Sequence, residues 1–387
     1  MDPFTKLPAE IILMILESCY DFTSLDGLQQ ISPRVEQVFN TSYTTVTEHV
    51  LKNCSLTSEV LQNHFTLLAS IESTTFTPAA LLEQLDYLSG DVVQPVSIST
   101  IKSLAAVRQA VSAAAKVHLT ACACLQHIFN RLQSAKPRRP IAPTADIVRW
   151  VNGSWLHERN PEPKGEIFQF VVDPPSWIET HRAHRGLWNL ELFCHIYNAA
   201  STRWSWSTHD LDCFAEEYVK PGLLEEIRTM SECVSDLCPT QPTILNPRFP
   251  FLIAVPLPTD LTLRTCWPLP MVPTDTDVDS RWGRRRSTAK FGNNVLSYYH
   301  MLRGLEGYHR ILWKVDFRAF RRLGIPLWDR WRLYQMRLQH QSQSVLSPEG
   351  NLVGGGESDR IERPKWVIIY TWYSLAEDED LPEEYRK

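Results

Sequence analysis

Six consecutive apolar residues, Ile11-Ile12-Leu13-Met14-Ile15-Leu16, lie within twenty residues of the N-terminal methionine. Leu7-Pro8-Ala9-Glu10 precedes them. Pro8 suits a first helical turn and Glu10 suits the positive end of the helix dipole. Glu17-Ser18-Cys19 continues the pattern, so the run reads as helix and not as a buried strand. A helix apolar on six successive positions has no polar stripe and must be covered on every side. Little chain precedes it to supply that cover. Either later segments fold back over it, or a partner does.

The residues that follow read as two more helices. Leu25, Leu28 and Ile31 recur at spacing three. Ser32-Pro33 is a stop and restart, with Ser32 as N-cap and Pro33 as first helical residue. Val35, Val38 and Phe39 form the next stripe. Val46, Val50 and Leu51 continue it after a turn around Asn40-Thr41-Ser42. Helices are then expected over 57–71 and 78–88. Residues 98–133 carry the longest periodic signal, with Ile101, Leu104, Val111, Ala115, Cys122, Leu125, Phe129 and Leu132 on a three-to-four spacing. Lys136 to Pro140 reads as a loop.

Beyond Pro143 the texture changes. All thirteen tryptophans lie from Trp150 onward. Helices are expected over 143–157, 176–200 and 208–238, the last interrupted at Pro221-Gly222, and one or two more over 293–323. The proline-rich stretch 239–273 cannot hold long helices and is expected to wrap the body. Residues 341–364 read as a polar, glycine-rich mobile loop. Trp366 to Tyr373 reads as a short strand or a buried terminal segment. The expected fold class is mainly α: a three-helix N-terminal module, then an irregular helical body. The expected division is 1–54, a helical segment 55–140 with the long helix, and a Trp-rich domain 141–387.

Charge is unevenly placed. The chain carries −5 overall, which excludes a uniformly basic nucleic-acid binder. Residues 1–100 hold three basic against twelve acidic residues, and residues 281–340 hold fourteen basic against three acidic. Nine cysteines, without a Cys-x-x-Cys pair, point to reduced and mostly buried thiols. The Ile11–Leu16 run is shorter than a signal core, and no stretch reaches the ~18 apolar residues of a bilayer span. The expectation is a soluble protein of the cytoplasm, the nucleus or both.

The residues from Pro3 to Leu51 resemble an F-box. Leu7-Pro8-Ala9-Glu10-Ile11-Ile12-Leu13-Met14-Ile15-Leu16 follows that family's Leu-Pro-x-Glu-Ile opening. Leu25-Asp26-Gly27-Leu28-Gln29-Gln30-Ile31-Ser32-Pro33-Arg34 follows its leucine-rich second helix and Ser-x-Arg turn. Phe39 or Tyr43 stands where many members carry tryptophan. The run is similar to the F-boxes of filamentous fungal proteins, in which a helical body follows. Arg185-Gly186-Leu187-Trp188-Asn189-Leu190-Glu191-Leu192-Phe193-Cys194 also resembles a run in those proteins. The F-box match covers about an eighth of the chain.

The resemblance implies three helices docked on a Skp-family adaptor and, through it, on a cullin–RING ubiquitin ligase. It implies a substrate-receptor or adaptor role with no catalysis of its own and no cofactor. Carried over residue by residue, the adaptor interface or module core comprises Leu7, Pro8, Ile11, Ile12, Ile15, Leu16, Leu25, Leu28, Ile31, Val35 and Val38. The plain alternative is that these are ordinary core of a larger helical domain. The target protein is not specified.

Arg281, Arg284, Arg285, Arg286 and Lys290 form the sharpest basic cluster, with Trp282, Tyr298, Tyr299 and Trp313 interleaved. Nucleic-acid stacking or nuclear import is one reading. A solvated loop paired with the acidic tail or the acidic N-terminal third is the preferred one. No zinc spacing is present, and no metal is expected. His118 reads as a hydrogen-bonded core histidine. Ser207 or Thr208 reads as a helix cap and not as part of a Ser–His–Asp set. Glu216-Glu217 and Glu225-Glu226 read as solvated faces. Any tryptophan left exposed is a candidate for target recognition.

Overall fold

A computed structural model describes residues 2–56, 59–73, 75–89, 98–140, 149–151, 154–156, 165–167, 169–170, 173–218, 222–238, 251–252, 267, 269–274, 276, 282–284, 295–303, 315–339, 368, 371–372 and 374–376. The fold is mainly helical. The described residues group into two compact units, 1–126 with 180–272 and 289–291, and 127–179 with 273–288 and 292–387. The loop 341–364 and most of 239–273 lie outside the described residues.

The first unit opens with α1 (Ala9–Glu17), α2 (Phe22–Ile31) and α3 (Pro33–Asn53). Both α1 and α2 pack on α3. Asp21 caps α2 by accepting from Ser24 N at 2.6 Å. Ser32 caps α3 by accepting from Val35 N at 3.2 Å, with Pro33 at the first helical position, as its sequence predicts. The Ser32 hydroxyl also donates to Asp2 Oδ2 at 2.7 Å, tethering the N-terminal segment. Inside α3, Ser42 leaves helical geometry at φ −129° and ψ 21°, where the sequence predicts a turn. Val35, Val38 and Phe39 before this kink and Val46, Val50 and Leu51 after it are buried.

Next come α4 (Glu59–Ile71), α5 (Pro78–Ser89), a 3₁₀ turn (Ile98–Thr100) and the 31-residue α6 (Leu104–Ser134). The expected periodicity of 98–133 is realised from Leu104 onward. α7 (Trp177–Thr202) is buried along nearly its whole length despite carrying Glu179, His181, Arg182, His184, Arg185, Asn189 and Glu191. α8 (Thr208–Tyr218) and α9 (Leu224–Leu237) follow a break between 218 and 224, again where the sequence places one. Tyr218 donates its hydroxyl to Asn189 O of α7 at 2.9 Å.

Two close contacts fix α7 against α9. A Cβ on Gly186 would lie 2.7 Å from Met230 Cγ and 3.0 Å from Glu226 O, so only glycine admits this approach. Arg185 and Glu226 meet in the same place as a fully buried ion pair. The expectation that Glu225 and Glu226 are solvated is overturned: both are buried, Glu226 against Arg185 and Glu225 against Arg228. Glu216 and Glu217 are exposed as expected.

Among the described residues the second unit has four three-residue strands. β1 (Arg138–Pro140) pairs antiparallel with β4 (Gly165–Ile167), and β2 (Arg149–Val151) pairs antiparallel with β3 (Ser154–Leu156). The loop expected at 136–140 holds at Lys136 and Pro137 and gives way to strand from Arg138, and at its described residues the helix expected over 143–157 is replaced by β2 and β3. Its described helices are the C-terminal end of α6, α10 (Val295–Arg303), the single turn α11 (Arg318–Arg321) and α12 (Arg330–Gln335). The core is aromatic. Trp328 stacks on Phe129 with centroids 5.2 Å apart, and its indole donates to Leu323 O at 2.8 Å. Trp372 packs edge-on to Phe320 and donates to Leu338 O at 3.0 Å; of the expected 366–373 segment, Ile368, Thr371 and Trp372 are described and buried, and the rest lies outside the described residues. Gly324, at φ +70°, leaves 2.6 Å between a hypothetical Cβ and both Ile128 and Trp328.

Candidate functional site

The N-terminal three helices divide the sequence-predicted interface residues by burial. Ile12 and Leu16 of α1, Leu25 of α2, and Val35 and Val38 of α3 are core. Leu7, Ile15 and Leu28 are half-buried, and Pro8 is exposed. Ile11 and Ile31 are 43% and 64% exposed. The expectation that α1 is covered on every side is therefore not met by the chain alone. Packing on α3 covers positions 12 and 16, one turn apart. Positions 11 and 14, three apart, share another side and remain open.

Two outward residues were not singled out from the sequence: Met14 at 61% and Tyr20 at 68% exposure. Met14 carried its own signal, lying three residues after Ile11 on one helical face. Four large apolar side chains, Ile11, Met14, Tyr20 and Ile31, are thus presented by one small module. Single exposed apolar residues are ordinary, but several on one short segment mark an interaction surface.

The basic cluster meets a different fate. Arg281, Arg285, Arg286 and Lys290 lie outside the described residues. Arg284 donates its Nε–H to Asp329 Oδ2 at 2.6 Å. Asp329 is buried, and its Oδ1 caps α12 by accepting from Arg332 N at 2.8 Å. Arg332 in turn makes a two-pronged pair with Glu179, through Nε at 2.8 Å and Nη2 at 2.8 Å. Ser176 N and Asp329 N also donate to Glu179, at 2.9 and 3.0 Å. Burial works to raise the Glu179 carboxyl, but Arg332 and these donors hold it below the usual range. Burial and the Glu179 charge push Asp329 the other way, up, against Arg284 and Arg332. This network is internal to its unit. Arg284 is a structural ion-pair partner and not a solvated charge.

His118 and His184 lie in the first unit, and burial favours the neutral form of both. His184 Nδ1 donates to Thr180 O at 2.8 Å, which leaves Nε2 to accept from His118 Nδ1 at 3.1 Å. Cys122 Sγ lies 3.8 Å from His118 Nε2, the remaining acceptor. These tautomers are assigned from the hydrogen-bond network. Burial lowers His184 to about 3, with the His118 charge adding to it. Burial also lowers His118, against the charge of Asp21. The expected core role of His118 is what the geometry gives. A cavity of about 30 Å³ adjoins the pair, lined by Phe22, Phe65 and Trp188 among others. It has room for one or two waters.

His195 is the opposite case. Its Nδ1 lies 2.6 Å from Glu72 Oε1 and its Nε2 lies 3.4 Å from Glu191 Oε1. Burial opposes its charge, but hydrogen bonds to Glu191 and Glu72 prevail and raise it to about 9. Burial holds two of the thiols protonated, pushing Cys19 to about 11 and Cys194 to about 12. No disulfide joins any of the eight cysteines among the described residues. Ser207 accepts from Asp210 N at 3.2 Å, and Asp210 Oδ2 accepts from Ser207 N at 2.9 Å, a reciprocal cap. The Ser207 hydroxyl thus bonds to Asp210 directly and not through His209. Among the described residues no tryptophan with a described side chain is exposed, and no group of three or more ligands is placed to hold a metal. No described helix is long and apolar enough to cross a membrane.

Comparison of the chain with protein-family models, with curated proteins and with solved structures returned no match.

Proposed function

We propose that this chain is a substrate-receptor subunit of an SCF-type cullin–RING ubiquitin ligase. It binds a Skp-family adaptor, and through it a cullin, with the outward side of its three N-terminal helices. The helical body presents a surface to a target protein, and ubiquitin transfer is catalysed elsewhere in the assembly. The protein works in the cytoplasm, the nucleus or both. The observation that carries this reading is the uncovered side of α1, where Ile11 and Met14 are 43% and 61% exposed in a segment whose sequence resembles an F-box opening. Burying such a side chain contributes about 1.5–3 kcal/mol. An adaptor that covers these positions supplies the cover that α3 leaves incomplete.

The nucleic-acid reading of residues 281–290 gains no specific support, since Arg284 is committed to Asp329. The test is co-purification of the full chain with a fungal Skp adaptor, beside a variant carrying Ile11→Asp and Met14→Asp. Binding by the parent and not by the equally helical variant is the expected result. Failure of a well-folded parent to bind any adaptor sinks the proposal.

A further inference from the structure

Two thiols face each other across α6 and α9 inside the first unit. Cys124 and Cys233 are 109 positions apart, and both are buried. Cys233 Sγ donates to Cys124 O at 3.6 Å. The Cys124 thiol in turn hydrogen-bonds to the Cys233 side chain. The two sulfurs are therefore in contact between helices. Cys122 and Cys238 lie near enough for their charges to act on Cys124, so four of the described cysteines share this place.

A disulfide needs two sulfurs that side-chain rotation can bring to about 2.05 Å. Thiols already bonded to each other meet its demand for proximity. Their reactivity is held back in the closed chain. The bond to Cys233 and burial keep the Cys124 thiol protonated, well above its usual range, and a protonated thiol is a poor nucleophile. Cys233 stands one turn before the C-terminal end of α9 at Leu237, and Cys238 beyond it is half-buried. Helix ends open locally at low cost, so an oxidant reaches Cys233 first.

We propose that Cys124 and Cys233 are a redox-sensitive pair that closes to a disulfide under a peroxide. The Cys233 thiolate attacks one peroxide oxygen, the O–O bond breaks, and Cys233 becomes a sulfenic acid as one water leaves. The Cys124 sulfur then attacks the Cys233 sulfur. The S–S bond forms, the S–O bond breaks, and the hydroxide departs with the Cys124 proton as a second water. The peroxide takes up both electrons. The bond ties α6 to α9 and closes a loop of 109 positions, a span at which cross-linking strongly restricts the unfolded chain. Exchange with a reducing thiol reverses it.

The test exposes the full reduced chain to a small excess of hydrogen peroxide, blocks the remaining thiols, and maps disulfides by mass spectrometry without reduction. The expected result is a Cys124–Cys233 link within one chain, a melting temperature raised by several degrees, and return to the parent value with dithiothreitol. Cys124→Ala and Cys233→Ala each lose the link and the shift while circular dichroism stays that of the parent, and Cys238→Ala keeps both. A link from Cys122 or Cys238 in place of this one overturns the proposal. So does a link that forms only in urea, one that lowers the melting temperature, or no disulfide within the folded chain.

Discussion

Arg185 of α7 and Glu226 of α9 face each other 41 positions apart in sequence and form three hydrogen bonds of 3.0, 2.8 and 2.7 Å. Both side chains are almost wholly removed from water, and Arg182 approaches the same carboxylate at 3.8 Å. A buried guanidinium without its carboxylate is costly. Glu226→Ala is expected to destabilise the chain by about 3–5 kcal/mol, read as a shifted urea midpoint. The double variant Glu226→Ala with Arg185→Met is expected to recover part of that loss, because it removes the stranded charge.

Gly186→Ala tests the same crossing from the packing side. Its new methyl would stand 2.7 Å from Met230 Cγ. The expected cost is about 1–3 kcal/mol, and Met230→Ala in the same chain is expected to make the alanine better tolerated. Additive effects of the two substitutions would refute the close approach.

His195 gives the chain an alkaline edge. Its folded pKa of about 9 exceeds the usual 6.5, so the protonated form is stabilised by folding. That contribution is fully present below pH 6.5 and is lost as pH rises through 9. His195→Gln is therefore expected to lower the melting temperature at pH 6 and to converge with the parent at pH 10. His184 gives an acid edge of opposite sign. With its folded pKa near 3, stability is lost as pH falls from 6.5 toward 3, because the unfolded chain takes the proton first. His184→Asn is expected to flatten that fall relative to the parent, compared by denaturant midpoints at pH 7 and pH 4.

The two sides of α1 are expected to separate cleanly. Ile12→Ala and Leu16→Ala remove fully buried side chains and are expected to cost about 2–5 kcal/mol each. Met14→Ser removes an exposed one and is expected to change stability by no more than about 0.5 kcal/mol. If Met14→Ser is as damaging as Leu16→Ala, Met14 is core and the uncovered side does not exist.

What could be read from the residues follows from where the signals lie. Ser32-Pro33 and the Ser207 to Asp210 cap are local, so the sequence placed both helix starts. The stripe of α6 is long enough for periodicity to speak. β1 to β4 are three residues each, too short to show any period, and the helical reading of 143–157 prevailed wrongly. One signal was present there and went unused: Asn152-Gly153 stands between β2 and β3, and that dipeptide is a strong hairpin marker. Charged residues misled most. Glu226 and Arg284 look solvated in one dimension because their partners lie 41 and 45 positions away. The outward side of α1 was half legible: the run announced a need for cover, but only the packing of α1 on α3 shows which residues lack it.

The glycine at 186 and the ion pair beside it have a meaning for uniqueness as well as strength. A helix lined only by leucine and alanine can rotate by one residue, about 100°, and still present grease to grease. α7 cannot. Such a turn would carry Arg185 off Glu226, drive a larger side chain into the gap at Met230 and swing His195 away from Glu72. The polar residues threaded through this interior work like the wards of a lock, rejecting near-miss arrangements that apolar packing alone would tolerate.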